Sequence, residues 1–274
     1  MNTSEAAPRL SETFLNTLVA ELDGEEVTAI ILGGSHARGT PTPYSDVDFL
    51  RFVHEEHQRQ PKRYFYREGR LISVPTRTLA YYQEAMTKPE LAIWVVPSMR
   101  EARILLDKEG AFAAFQLSLA DFRWESVQEK ANAWGSHELL LFTEFVHKAL
   151  GALLGHDETT LAYATNELFY ILTWVMAVQR GVLIESNSYY RQTQEAAGLD
   201  STWTRCHRLI LCLAPFPAHL SPAEARGIAA IRLYQETVRL LHDALQPKDC
   251  QVIEQAVQVI EQAPLAELND YPSF

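Results

Sequence analysis

Between Ile30 and Phe52 the chain reads IILGGSHARGTPTPYSDVDFLRF. On a strand, Asp46 and Asp48 point to one face and Val47 and Phe49 to the other. Two carboxylates a few ångströms apart repel each other unless a cation lies between them. Mg²⁺ suits that place, because it takes carboxylate oxygens and shares the rest of its shell with substrate phosphates. Upstream, an apolar run ends at Gly33-Gly34-Ser35, where a ligand can approach the backbone closely and N–H groups can face phosphate oxygens. Arg38 follows within one helical turn and adds a forked cation matched to phosphate. These residue types at this spacing predict metal-assisted chemistry on a phosphate ester.

The elements that must position them can be read from periodicity. Leu10, Phe14, Leu15, Leu18, Val19 and Leu22 recur at helical spacing, with Gly24 placed to end the helix. Val27–Leu32 reads as a buried strand running into the glycines, and Asp46–Val53 as a second strand. Arg63–Tyr66 and Arg70–Thr76 read as a hairpin turned by Glu68-Gly69, Thr78–Thr87 as a helix and Ala102–Leu106 as a further strand. From about Gly110 the texture becomes helical, over roughly 111–132, 136–154, 158–180, 201–213, 222–245 and 249–262. Gly135, Gly155, Gly181 and the Pro215/Pro217 pair read as breaks. The predicted architecture is α+β with a mixed sheet over residues 1–110, followed by an all-α helical bundle over 111–274.

Composition sets outer bounds. The 274 residues are 47% hydrophobic and 22% charged, which excludes a wholly disordered chain. No run approaches the roughly 18 uncharged apolar residues of a membrane span, and the start, MNTSEAAPRLSE, lacks the apolar core of a secretory signal. Three cysteines, Cys206, Cys212 and Cys250, form no CxxC pair, so neither a disulfide framework nor a zinc ribbon is expected. The expectation is a soluble cytoplasmic protein without membrane attachment. The net charge of −11 divides unevenly, with −3 on residues 1–110 and −8 on the remainder. An acidic second half disfavours nucleic acid there, since neutralising phosphates needs a cationic surface, and suits a cationic small molecule.

The string Gly33-Gly34-Ser35-x-Ala37-Arg38-Gly39, followed by Ser45-Asp46-x-Asp48-Phe49, resembles the signature of the polymerase-beta-like nucleotidyltransferase superfamily. It is closest in form to the small bacterial branch that includes the aminoglycoside-modifying enzymes. The resemblance implies transfer of a nucleoside monophosphate from an NTP, with ATP the expected nucleotide, to an acceptor hydroxyl, with release of pyrophosphate. It implies nucleotide binding by Gly34, Ser35, Arg38 and Ser45. Asp46 and Asp48 become the catalytic residues and ligands of Mg²⁺, with two ions when NTP is bound. A small-molecule acceptor of the aminoglycoside type, and hence a role in antibiotic resistance, follows from the same likeness.

The chain departs from that pattern in one respect. Members of the superfamily commonly carry a third carboxylate on a later strand, and here Arg70–Thr76 reads RLISVPT, with Ser73 where the acid belongs. Asp107, Glu144 and Glu167 are candidate substitutes. If none serves, the chain is a non-catalytic nucleotide-binding relative. Arg59, Lys62, Arg63, Arg67 and Arg70 form a basic run beside the proposed site. It motivates a rival, a toxin-type transferase acting on tRNA or protein. His54 and His57 have metal-ligand spacing only on a helix, and this stretch follows a strand. Tyr163, Phe169, Tyr170 and Trp174 read as core, and Asn187-Ser188-Tyr189-Tyr190-Arg191 as a loop.

Overall fold

A computed structural model of the chain describes residues 9–54, 62–185 and 188–264. His57, Arg59 and Asn187 lie outside the described residues.

Alternation and turn chemistry build the sheet. Strands β1 (Val27–Leu32), β2 (Val47–Val53), β3 (Arg63–Arg67), β4 (Arg70–Val74), β5 (Thr76–Arg77) and β6 (Arg103–Asp107) are ordered β3-β4-β2-β1-β6, with β5 paired to β2. The β2–β4 and β2–β5 pairs are parallel and the others antiparallel, so the sheet is mixed. The β3–β4 hairpin turns on Glu68 (φ 50°) and Gly69 (φ 74°), two left-handed residues that match the twist of the flanking strands. One sheet face packs Val47, Phe49, Ile72 and Val74 against helix α1 (Glu12–Leu22), which is capped by the Ser11 hydroxyl on Phe14 N–H. The opposite face carries Ala29, Ile31 and Phe52, packed with Met99, Phe112 and Phe115.

Between β1 and β2 lies the single turn α2 (Gly34–Arg38), closed by Gly39 in the left-handed conformation. Helices α3 (Leu79–Ala85) and α4 (Pro89–Arg100) connect β5 to β6. Helix α4 starts on Pro89, whose missing N–H costs nothing at that position. Periodicity did not reveal α4, because Pro97 interrupts its pattern. Helix α5 (Ala111–Ser118) packs on β1 and β6.

The chain forms two compact units, one of residues up to Ser126 together with the segment from Leu183 to Asn187, the other of Val127–Val182 and the residues from Ser188 onward. The second is helical: α6 (Gln128–Leu141), α7 (Thr143–Leu154), α8 (Glu158–Gln179), α9 (Tyr189–Ala197), α10 (Thr202–Ile210), α11 (Pro222–Leu240) and α12 (Pro247–Gln262). Two expectations are corrected here. Gly135 does not break a helix but lies inside α6, where a Cβ would make ordinary contact with Val175 Cγ1 at 3.5 Å. Tyr189–Arg191 are not loop but the first turn of α9. Among the described residues, α8 alone is long and apolar enough to cross a membrane by length and composition. In the fold it is the bundle's central helix, and 67% of its most apolar stretch is buried. Leu161, Leu168, Leu172 and Val175 carry that burial.

Candidate functional site

The glycine turn and the Asp-x-Asp strand are joined by backbone before any side chain is considered. Gly33 N–H donates to Asp48 C=O at 2.7 Å, which ties the end of β1 to the start of β2. Gly34 follows with φ +63°, and a Cβ built on it would lie 2.5 Å from Asp48 Oδ2. Only glycine satisfies both constraints, since left-handed backbone and the carboxylate each exclude a side chain. The Asp48 carboxylate is thus stacked on the one backbone position of this turn with neither strain nor bulk.

The other Asp48 oxygen is also held. Ser73 sits opposite Asp48 in the parallel β2–β4 pairing and donates its hydroxyl to Asp48 Oδ1 at 2.8 Å. Ser73 is fully buried, so the place where an acid was expected holds a neutral donor. Burial pushes the Asp48 carboxyl up from its ordinary value, and the Asp46 charge adds to that. The Ser73 hydrogen bond and the charges of Lys62 and His36 oppose it. Asp46 itself lies one residue before β2 and is half-buried. Burial, with the charge of Arg70, pushes His36 down, while a hydrogen bond to the Ser45 backbone and the two aspartates pull it up. Among the described residues, His36 Nε2 is buried with no hydrogen-bond partner.

Asp48, Gly33, Gly34 and Ser73 open onto a cleft of about 270 Å³, shared with Arg38, Lys62 and Glu101. Its far wall is apolar, built from Leu50 on β2, Tyr82 on α3, Trp94 and Met99 on α4, and Ile184. Ile184 N–H donates to Ile93 C=O at 2.8 Å, which ties the returning segment to α4. Burial pushes the Tyr82 phenol up to about 12, so it stays a neutral donor. One end of the cleft therefore suits phosphate and metal, and the other a flat apolar ring.

Several sequence candidates fall elsewhere. Ser35 is in the first turn of α2, its C=O accepting from Thr40 N–H at 2.9 Å. Ser45 closes its own turn, the hydroxyl accepting from Thr42 N–H at 2.8 Å, and it does not line the cleft. Asp107 accepts from Ala113 N–H at 2.9 Å and opens α5; it pairs with Ala29, toward the end of β1 remote from the glycines. Glu144 pairs with Lys148 at 2.6 Å and Glu167 lies on α8, both in the second unit. His54 faces Glu109 at 3.8 Å.

The basic run separates by alternation. Tyr64 is in register with Ser73 and Tyr66 with Leu71, so both rings lie on the face that carries Asp48. Arg63, Phe65 and Arg67 take the opposite face, Arg63 over the Phe65 ring and Arg67 bonded to Glu21 at 2.7 Å. Of the described cations in the run, Lys62 alone lines the cleft, its ammonium 4.7 Å from the Tyr64 ring centroid.

Glu101 was missed by sequence reading. It terminates α4 and reaches Arg38, Oε2 accepting from Nη1 at 3.2 Å. The available signal was Pro89-Glu90 opening a helix whose last turn precedes the ARILL strand.

Comparisons with known proteins bear on the fold and on residues 14–95. No curated protein matches the chain. A crystal structure of a nucleotidyltransferase-like protein from Exiguobacterium sibiricum 255-15 resembles it in fold over 91% of this chain and 79% of that one, with a TM-score of 0.50 and 11% identity. Residues 14–95, which include Gly34, Ser35, Arg38, Asp46, Asp48 and Ser73, match the family described as the nucleotidyltransferase domain.

Proposed function

We propose that this chain transfers a nucleoside monophosphate from a Mg²⁺–NTP, ATP being the expected nucleotide, to a hydroxyl of a small amine-bearing acceptor of the aminoglycoside type. One observation carries the reaction class: the Asp48 carboxylate packed on Gly34 at the mouth of a cleft that also holds Arg38. Match to the nucleotidyltransferase domain supports nucleotidyl transfer in general. The acidic second half supports a cationic acceptor.

The donor set fits a hard divalent cation. The Asp46 charge adds to the cost of ionising Asp48, Ser73 occupies one oxygen of Asp48, and the other faces the bare Gly34 backbone. Asp46 and Asp48 are the residues that would hold Mg²⁺, which supplies Lewis-acid polarisation of a phosphoryl oxygen when bound. The chain's own residues do the rest. Gly34 admits phosphate oxygens to the backbone of the turn, and Arg38 offers its fork to the triphosphate. Lys62 adds positive charge for the leaving pyrophosphate, and the Trp94–Tyr82 wall shelters a ring from water.

The test is thermal unfolding with each NTP, with and without Mg²⁺, followed by pyrophosphate release with an aminoglycoside panel. A nucleotide at 100 times its Kd stabilises by about 2.7 kcal/mol. That gain is expected to require Mg²⁺ and to vanish in the Asp46→Asn/Asp48→Asn variant, with transfer falling by at least about a hundredfold. Unchanged turnover in that variant would sink the mechanism.

A specific observation favours one second reading. Ser73 stands beside Asp48 in place of an acid, and no group of three or more metal-type side chains occurs among the described residues. A non-catalytic nucleotide-binding relative accounts for both; pyrophosphate release with any acceptor removes it. A polyanionic acceptor such as tRNA draws less support, because Arg63 and Arg67 lie on the far face of β3.

A further inference from the structure

Among the described residues, two cations and two carboxylates line the cleft: Arg38 and Lys62, Asp48 and Glu101. A triphosphate arriving beside Gly33 and Gly34 therefore meets its forked cation already engaged, since Arg38 Nη1 donates to Glu101 Oε2 at 3.2 Å. Phosphate and Glu101 compete for one guanidinium. The pair is partly open to water, with 22% and 33% of the two side chains exposed, and ion pairs of that kind are weak. A polyphosphate, with several oxygens and bidentate geometry, is the stronger partner. Both partners are anchored at their backbones. Arg38 ends α2, and Glu101 N–H donates to Pro97 C=O at 3.2 Å. The exchange needs side-chain rotation alone.

We infer that Glu101 changes partner during the reaction: it holds Arg38 in the nucleotide-free cleft, surrenders it to the triphosphate, and then receives an ammonium group of the acceptor. This rests on the nucleotidyl-transfer reading above and deepens it by naming a residue that selects the acceptor. Once Arg38 turns to phosphate, Glu101 loses the cation it is paired with and faces a polyanion, which draws Lys62 as well. An amine-bearing acceptor supplies that charge; a neutral one leaves the repulsion in place. Nucleotide and amine must then bind with positive and reciprocal coupling.

The experiment measures tripolyphosphate and ATP affinity calorimetrically for wild type, Glu101→Gln, Arg38→Ala and the double variant. It then measures neamine affinity with and without a non-hydrolysable ATP analogue. Glu101→Gln is expected to tighten polyphosphate two- to fivefold, and the gain should vanish on the Arg38→Ala background. Neamine should bind wild type at least threefold tighter when the analogue is present, and Glu101→Gln should lose that enhancement. Polyphosphate affinity unchanged by Glu101→Gln, or tightened equally without Arg38, overturns the exchange. Neamine binding equally to nucleotide-loaded wild type and Glu101→Gln, or to neither, overturns the amine assignment. If wild type binds neither ATP nor tripolyphosphate, the nucleotidyl-transfer reading itself falls. ATP binding that needs Asp46 and Asp48 but ignores Glu101 overturns the partner exchange alone.

Discussion

Asp48 in the first unit is half-buried and His207 in the second fully buried; both are titratable, and their surroundings are opposite in kind. His207 is fully buried on α10, stacked on Trp203 at 4.9 Å between ring centroids. Its Nε2 lies 3.1 Å from Thr173 Oγ1, which already donates to Phe169 C=O at 2.6 Å, so Nε2 carries the proton. Its Nδ1 accepts from Gln194 Nε2 at 2.9 Å. Every polar atom of the ring is paired, the imidazole is neutral, and burial pushes it down to about 4. Asp48 has one oxygen held by Ser73 and the other facing a cleft, with a second carboxylate nearby. A perturbed ionisation therefore does not mark a site by itself. What separates the two is completeness: the His207 cluster closes on itself, whereas Asp48 lines an open cleft with one of its oxygens bonded to Ser73.

That contrast can be broken experimentally. His207 has a native value near 4, below the ordinary 6.5, so the native state binds fewer protons than the unfolded chain between those values. Stability is full above pH 6.5, is lost as pH falls from 6.5 toward 4, and is flat below. The loss amounts to about 3 kcal/mol. Denaturant unfolding of wild type against His207→Gln, followed by tryptophan fluorescence across that range, isolates it; parallel curves would remove His207 from the ledger of acid sensitivity.

Gly34→Ala comes next. It places a Cβ 2.5 Å from Asp48 Oδ2 and a side chain at φ +63°, and is expected to cost about 1–3 kcal/mol and to abolish Mg²⁺-dependent nucleotide binding. The same substitution at Gly39, also left-handed but with nothing within 4 Å of a new Cβ, should lose stability alone. Equal losses of binding at both positions would show that backbone strain, and not the carboxylate, is what matters.

The smallest effect is that of Ser73→Ala, about 1 kcal/mol or less. It removes a hydrogen bond that favours ionised Asp48 and pushes that carboxyl further up. Because the native value is already raised, ionised Asp48 costs stability above it and a bound cation offsets the cost. The pH at which Mg²⁺-dependent nucleotide binding reaches half its maximum should therefore rise in Ser73→Ala. A midpoint that stays put or falls would mean Ser73 does not tune Asp48.

Much of this was legible beforehand, for reasons that differ by element. β1, the β3–β4 hairpin and α8 declare themselves through apolar runs, a turn pair and helical periodicity, all local properties. The mixed sheet followed by helices was predicted and is what the chain forms. Pro97 hides helix α4 from periodicity, and Gly135 reads as a break because glycine in a helix interior is costly, although α6 runs through it. Ser73 was singled out as standing where an acid belongs. Its hydrogen bond to Asp48 needed the parallel β2–β4 register.

By itself the sequence determined what a short stretch of backbone permits: glycines where a carboxylate crowds the turn, alternating aspartates, and tyrosines alternating with arginines on β3. Such choices are set by sterics and by periods of two or 3.6 residues, which any window of the chain carries. Only the tertiary structure decided which face of β3 meets the cleft, that Arg63 and Arg67 turn away from it, and that Glu101 reaches Arg38 across 63 positions of sequence. Those outcomes depend on strand order and register, and they arise from burying the whole sheet at once, which no local pattern encodes.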